Sequence, residues 1–409
     1  MFLIAIVTFL GFFGNIIFKK KGVPETLSLI FLGIGVQLAG IIPPSTVSVL
    51  VPILSGLTLA IMLFGVGMEL DLRDLFGEGS EAVARSTLYM FLSISFIAAI
   101  FYFSGQGIYQ SLILGSIIGG ETTAAAIPAI TKRLAKDNHK LVANLTTEAV
   151  YNSMVLVILF FVFLNGYLNA TPLDLSGVKT MLVTFFSQFS IGAVMGTLGA
   201  IFWVRFLKVV KMADYLYLAT FGYILGIYAM TSEVGGSGIL AVLVLGVMFL
   251  NLGKFFKSFT VASKIGEYLA GFQGEISFFL KTFFFVFLGL ELSLSSFFNL
   301  GSWFIAGAAM IVLVTTRALS TAIVDRKRDG YSKSVIRYMM AQGLTPAVLS
   351  TTLLTYTVAG SAQIILIATL VIVLTNIFTT LGSFRLAGIN AKVHLAPKVP
   401  LPVPLTPAP

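Results

Sequence analysis

Long apolar runs separated by short polar breaks follow one another from Met1 to about residue 386. A helix that crosses the hydrocarbon core of a bilayer needs about 17–25 such residues. Thirteen segments qualify: roughly 1–18, 24–42, 47–68, 85–104, 108–131, 141–164, 178–204, 213–231, 236–252, 275–295, 301–324, 334–358 and 361–384. The fifth and twelfth are interrupted. Gly119-Gly120-Glu121-Thr122-Thr123 lies in the middle of the fifth, and Gln342-Gly343 lies in the twelfth. A carboxylate at mid-bilayer costs roughly 2.5–3.5 kcal/mol on insertion scales, so an intramembrane acid is a functional candidate by default. Irregular backbone at that depth is tolerated only where it lines a cavity or is buried in protein. The plain alternative is a packing glycine pair with a glutamate held against a neighbouring helix. The stretch reads as the middle of an ion-binding site.

Hydrophobic residues make up 57% of the 409 positions and charged residues 11%, with a mean hydropathy of +0.99, which excludes a soluble globular protein. There is no cysteine, so neither a disulfide framework nor thiol chemistry is available. His139 and His394 fall outside the predicted spans, which removes histidine metal clusters and histidine-based catalysis inside the membrane. The net charge of +9 could point to nucleic acid, but its distribution points to a membrane. Every basic residue except Lys179, Lys281 and Arg317 falls in or beside loops on one side of the thirteen-span arrangement. By the positive-inside rule the N-terminus is outside and the C-terminus cytoplasmic. The first run lacks a basic region before it, so it reads as a retained helix rather than a signal peptide. Lys254 to Gln273 alternates charged and apolar residues like a cytoplasmic interfacial helix, and the proline-rich tail of 387–409 should be extended. No soluble domain is expected after the last helix to gate the protein.

Phe64-Gly-Val-Gly-Met-Glu-Leu-Asp-Leu72 returns as Val286-Phe-Leu-Gly-Leu-Glu-Leu-Ser-Leu294, 222 residues later. The same offset carries Thr123-Ala-Ala-Ala-Ile-Pro128 onto Thr345-Pro-Ala-Val-Leu-Ser350. The third span thus matches the tenth and the fifth matches the twelfth. An odd number of spans separates each pair, so the copies run in opposite directions, as in inverted-repeat transporters whose broken helices meet at the midplane. The expected fold is an all-α polytopic membrane protein with 13 transmembrane helices, two inverted-topology repeats and crossed broken helices 5 and 12. The opposed helix ends at such a crossing place partial charges of both signs at mid-membrane.

Once loop and helix-end charges are set aside, Glu121, Glu148, Lys281 and Arg317 remain inside. Glu148 and Asn152 are spaced i,i+4 on one face of the sixth span, with Ser153 beside them. Together with Glu121 and Thr122 they form an all-oxygen set suited to a hard monovalent cation, with Na+ placed at Glu121, Glu148 and Ser153. Two nearby carboxylates resist being ionised together, which couples proton uptake to cation loss. The alternative for Glu148 is snorkelling, since the cytoplasmic end is about two turns away. Lys281 reads as a counter-ion for a site carboxylate or as a snorkelling lysine, and Arg317 as a residue that pins helix packing or caps a break. Glu69, Glu233 and Glu291 close helices at surfaces and read as interfacial.

These residues resemble the monovalent cation:proton antiporter family, the Na+/H+ exchangers of the archaeal and bacterial NhaP-like type. The motifs that carry the resemblance are Gly119-Gly-Glu-Thr-Thr123, Glu148-Ala-Val-Tyr-Asn-Ser153, Gly235-Gly-Ser-Gly-Ile-Leu-Ala241 and Phe284-Phe-Val-Phe-Leu-Gly-Leu-Glu291. It implies a homodimer in the plasma membrane in which a core domain, about 85–164 and 301–384, moves against scaffold helices of about 1–68 and 178–295. It also implies Glu148 and Asn152 as the sixth-helix Glu and Asn. The family usually has an aspartate after that asparagine; here Ser153 takes its place. Where many members have a threonine at the broken helix, this chain has Glu121. The essential carboxylate is therefore expected to have moved from helix six to helix five.

The expected activity is secondary-active Na+/H+ antiport, with no cofactor beyond the transported ions and with lipid, protons and a monovalent cation as partners. The alternatives are K+/H+ antiport, a passive cation channel and a sodium-coupled organic-solute carrier. An intramembrane enzyme lacks a nucleophile–base pair or metal ligands, and nucleic acid is not expected as a partner.

Overall fold

The structure is a computed structural model that describes residues 25–40, 44–70, 79–123, 126–127, 139–172, 174–210, 216–255, 278–290 and 299–395, with 9, 11, 12 and 276 besides. Among them are thirteen helices and no strand. In chain order they are α1 Glu25–Leu38, α2 Pro44–Glu69, α3 Ser80–Phe103, α4 Ile108–Ile118, α5 His139–Leu168, α6 Leu175–Val210 and α7 Leu216–Glu233. Then come α8 Gly238–Phe255, α9 Phe278–Leu290, α10 Leu300–Val324, α11 Gly330–Tyr338, α12 Leu344–Thr355 and α13 Ser361–Leu395. Five of these helices (within α3, α5, α6, α10 and α13) are long and apolar enough to cross a membrane.

These thirteen helices are not the thirteen expected spans one for one. The run at 1–18 and the interfacial stretch from Lys254 to Gln273 lie almost wholly outside the described residues, as do 396–409. The twelfth run divides into α11 and α12, and the fifth supplies α4 before its break. Two boundaries differ in ways that matter. α3 begins at Ser80, not 85, because its first turn is polar while its backbone is helical, so Arg85 lies inside a helix. α13 runs past 384 to Leu395, since the first residue that cannot continue a helix is Pro397.

Packing follows from which faces are small and apolar. α8 lies between α2 and α6, and α2 crosses it at a pair of glycines. A Cβ on Gly67 would run into the Leu243 carbonyl, and one on Gly246 into that of Phe64. Small residues that let backbones approach are the usual means of association in lipid, where burial of apolar surface provides no drive. Around α3, α4, α10 and α5 pack together, and α13 closes against α10 and α12. The outward face of α6 exposes Leu182, Phe186, Leu198 and Phe202, as suits hydrocarbon, while Trp203 on the other side stacks on Tyr223 of α7 with ring centroids 4.2 Å apart. Polar side chains gather where α3, α5 and α10 meet the two breaks.

Candidate ion-binding site

The first break is made by its glycines. α4 stops at Ile118 with Gly119 as its C-cap, and Gly120 follows at φ +105°, a left-handed conformation that glycine adopts without a side-chain penalty. Glu121 to Thr123 then follow without regular secondary structure. The second break runs from Met339 to Gly343 between α11 and α12. The two strands of broken backbone meet. Thr123 N–H donates to the Ala341 carbonyl at 2.8 Å, and the Gln342 side chain donates through Nε2 to the Ile118 carbonyl at 2.6 Å.

Glu121 sits at this meeting point, 2% exposed. Its Oε2 accepts from the backbone N–H of Gly343, the N-cap of α12, at 2.9 Å. The positive end of a helix dipole is thereby directed at the carboxylate. Among the described residues no lysine or arginine forms an ion pair with it. Asn152 on α5 donates through Nδ2 to the Gly120 carbonyl at 3.0 Å and to Thr122 Oγ1 at 3.1 Å. Ser153 accepts from Thr345 of α12 at 3.2 Å. Glu121, Thr122, Asn152 and Ser153 are thus brought together at the crossing, with Gly119, Gly120, Gln342 and Gly343 forming its backbone.

Glu148 is one turn before Asn152 on α5, and its surroundings differ entirely. Its Oε2 takes Nη2 of Arg85 at 2.6 Å, and its Oε1 is paired with Nη1 of Arg317. Both arginines are fully buried. Arg85 also binds Asp325, the C-cap of α10, at 2.8 Å and Asn144 at 2.7 Å. Arg317 donates from Nε to the Ile336 carbonyl of α11 at 3.0 Å and lies over the Tyr89 ring. Asp325 passes the chain on to Arg328 at 2.9 Å, which reaches Glu81 near the surface. Lys281 is in the first turn of α9, half-buried. Among the described residues, Arg85 and Arg317 pair with a buried site carboxylate, Glu148.

Sequence reasoning placed Arg85 in a loop and passed over Asn144, Asp325 and Asn376. Two signals could have found Asp325 and Asn376. Leu313, Arg317, Thr321 and Asp325 follow at steps of four along α10, one face of a helix, and all are buried. On α13, Thr369, Asn376 and Ser383 recur every seven residues and are likewise buried.

Residues 4–388 match the family described as sodium/hydrogen exchanger, transmembrane. This chain belongs to that family. It is 27% identical over 403 residues to the K(+)/H(+) antiporter NhaP2 of Shewanella sp. (strain ANA-3), covering 94% of this chain and 65% of that protein. It is 23% identical over 309 residues to the probable Na(+)/H(+) antiporter 2 of Methanocaldococcus jannaschii, covering 71% of this chain and 70% of that one. The chain thus spans just under two thirds of the length of the NhaP2 relatives. The sodium proton antiporter MjNhaP1 of Methanocaldococcus jannaschii at pH 8 superposes with a TM-score of 0.76 at 18% identity, over 94% of this chain and 98% of that chain. That likeness carries the fold.

The crossing also makes a prediction about Gly343. A Cβ there would fall 2.6 Å from Thr123 Oγ1 and 2.7 Å from Thr123 Cβ, so an alanine must push the two breaks apart. Overpacking of this kind costs about 1–3 kcal/mol. Gly343→Ala is expected to fold with a lowered unfolding temperature and to transport about tenfold more slowly, a barrier increase of about 1.4 kcal/mol. Thermal unfolding and liposome flux read the two effects. Unchanged flux would mean that the spacing of the breaks does not matter.

Proposed function

We propose that the protein is a secondary-active antiporter that exchanges one monovalent cation for one proton at Glu121. The observation that carries this reading is the contrast between its two buried glutamates. Among the described residues, Glu148 is held by two guanidinium groups, while Glu121 meets a helix N-terminus and pairs with no lysine or arginine. An ionised carboxylate in a low-dielectric interior needs a full counter-charge. For Glu121 that charge is a proton or a cation, and the two exclude each other. Binding one releases the other, which is the chemical condition for exchange. A single carboxylate with unit charge takes one monovalent cation per proton, so the cycle moves no net charge. Thr122, Ser153 and Asn152 provide neutral oxygens around it. Glu148, placed by the sequence reading among the cation ligands, acts instead as a fixed anion that holds α3, α5 and α10 together beside the site.

The meeting of the breaks supports an inverted repeat. Glu121 touches Gly343, its own counterpart at the 222-residue offset, as residues on a twofold axis between two copies would. We take the helices around the breaks, α3 to α5 and α10 to α13, as the moving core, and α1, α2 and α6 to α9 as a scaffold that dimerises with a second copy in the plasma membrane. The N-terminus is then outside and the C-terminus cytoplasmic. Sodium is our first choice of cation, with potassium the alternative that the NhaP2 relatives favour.

The test uses purified protein in liposomes loaded with a pH dye. External Na+, K+ or Li+ should each be tried against choline at equal osmolarity, with a valinomycin-free control for charge movement. Lumenal alkalinisation driven by Na+ or K+ and insensitive to an imposed membrane potential is expected. A pH change that follows the imposed potential would mean a conductive pathway, and no cation-driven change would overturn the antiport reading.

A further inference from the structure

Three buried amide side chains near Glu121 share one pattern. Asn152 donates to the Gly120 carbonyl, Gln342 to the Ile118 carbonyl, and Asn376 of α13 to the Gln342 carbonyl at 2.7 Å. Each NH2 group therefore satisfies a main-chain carbonyl at or beside a break. Each amide oxygen, Oδ1 of Asn152, Oε1 of Gln342 and Oδ1 of Asn376, is buried with no hydrogen-bond partner among the described residues. All three residues are fully buried. A buried acceptor with no donor costs about 1–3 kcal/mol, and such groups in a native structure call for an explanation such as an ion. Their NH2 bonds fix the amide planes, so the oxygens are held in place.

We propose that the amide oxygens of Gln342 and Asn376 are ligands of the transported monovalent cation, completing a shell with Asn152 and the Glu121 carboxylate. This rests on the antiport reading of Glu121 and extends it to the second break and to α13. The chemistry fits. Amide oxygens are hard, neutral donors of the type that hold alkali cations. They replace hydration water without adding charge, so the shell as a whole carries one negative charge and suits a dehydrated monovalent cation. A divalent ion would leave an uncompensated positive charge in the interior. The arrangement also divides labour: Glu121 exchanges cation for proton, while Gln342 and Asn376 bear only on the cation.

That division provides the test. In liposomes, Asn376→Ala and Gln342→Ala should each raise the apparent KM for the driving cation about tenfold, equivalent to about 1.4 kcal/mol, and alter the ranking of Na+, K+ and Li+. When the cation concentration is raised in proportion to KM, the midpoint of proton competition should match that of wild type, because the proton site itself is untouched. Purified wild type should gain thermal stability with added cation, and both variants should need correspondingly more of it. If wild type fails to exchange, the antiport reading falls. If wild type exchanges while folded variants keep its KM and cation ranking, this inference falls alone. Should the alanine variants not fold, Asn376→Asp and Gln342→Glu decide. A second carboxylate in the shell should make Ca2+ or Mg2+ a competitive inhibitor of monovalent flux, and an absence of divalent competition in both would overturn the assignment.

Discussion

Replacing Glu121 by glutamine should abolish cation-driven proton flux, by on the order of 100-fold or more, while leaving the protein folded. Glutamine keeps the shape and an oxygen that can accept from Gly343 N–H. It cannot take up or release a proton, and it offers no charge to a cation. Because no arginine or lysine is paired with Glu121 among the described residues, its neutralisation strands no buried cation. The unfolding temperature should therefore shift little, by no more than the ~1 kcal/mol attached to a single hydrogen bond. Flux in liposomes and thermal unfolding of the same preparation read the two halves of the prediction. Full activity in Glu121→Gln would return the exchange role to Glu148 and remove the idea that the carboxylate has moved from helix six to helix five.

Much of the fold was legible because lipid imposes a strict pattern. A run long enough to span, bounded by polar residues, leaves few alternatives to a helix, and α2, α5, α8 and α10 lie close to where hydropathy put them. The breaks were legible too, since paired glycines beside an acid have no place in an ordinary membrane helix. What hydropathy could not resolve was the difference between a charge at a helix end and a charge inside a bundle. Arg85 lies in the second turn of α3, where a window average treats it as loop, yet the fold buries it completely between Glu148 and Asp325. Pairing decides such cases, and pairing is a tertiary property. Asp325 is 240 residues from Arg85 in the chain. Likewise the spacing of Glu148 and Asn152 correctly put them on one face of α5, but one turn along that face separates an arginine cluster from the crossing. Sequence alone could not say which side of that boundary Glu148 fell on.

The same boundary sets the second large effect. Glu148→Leu should be strongly destabilising, because among the described residues it leaves Arg317 with a charge that only the Ile336 carbonyl and the Tyr89 ring still meet. Breaking a buried pair by removing one partner typically costs about 3–5 kcal/mol. Arg85 is less exposed to the loss, since Asp325 and Asn144 continue to hold it. A compensating change follows. Glu148→Leu combined with Arg317→Met removes the stranded charge along with its partner, and an apolar pair of similar volume can match a buried ion pair in stability. The double variant should recover most of the unfolding temperature lost by the single one, giving a coupling energy of about 0.5–3 kcal/mol in a double-mutant cycle. If Glu148 is a fixed anion, the recovered double variant should also regain cation-driven proton exchange through Glu121. A double variant that refolds but carries no flux would place Glu148 in the ion path itself, and a single variant as stable as wild type would show that the arginines do not depend on it.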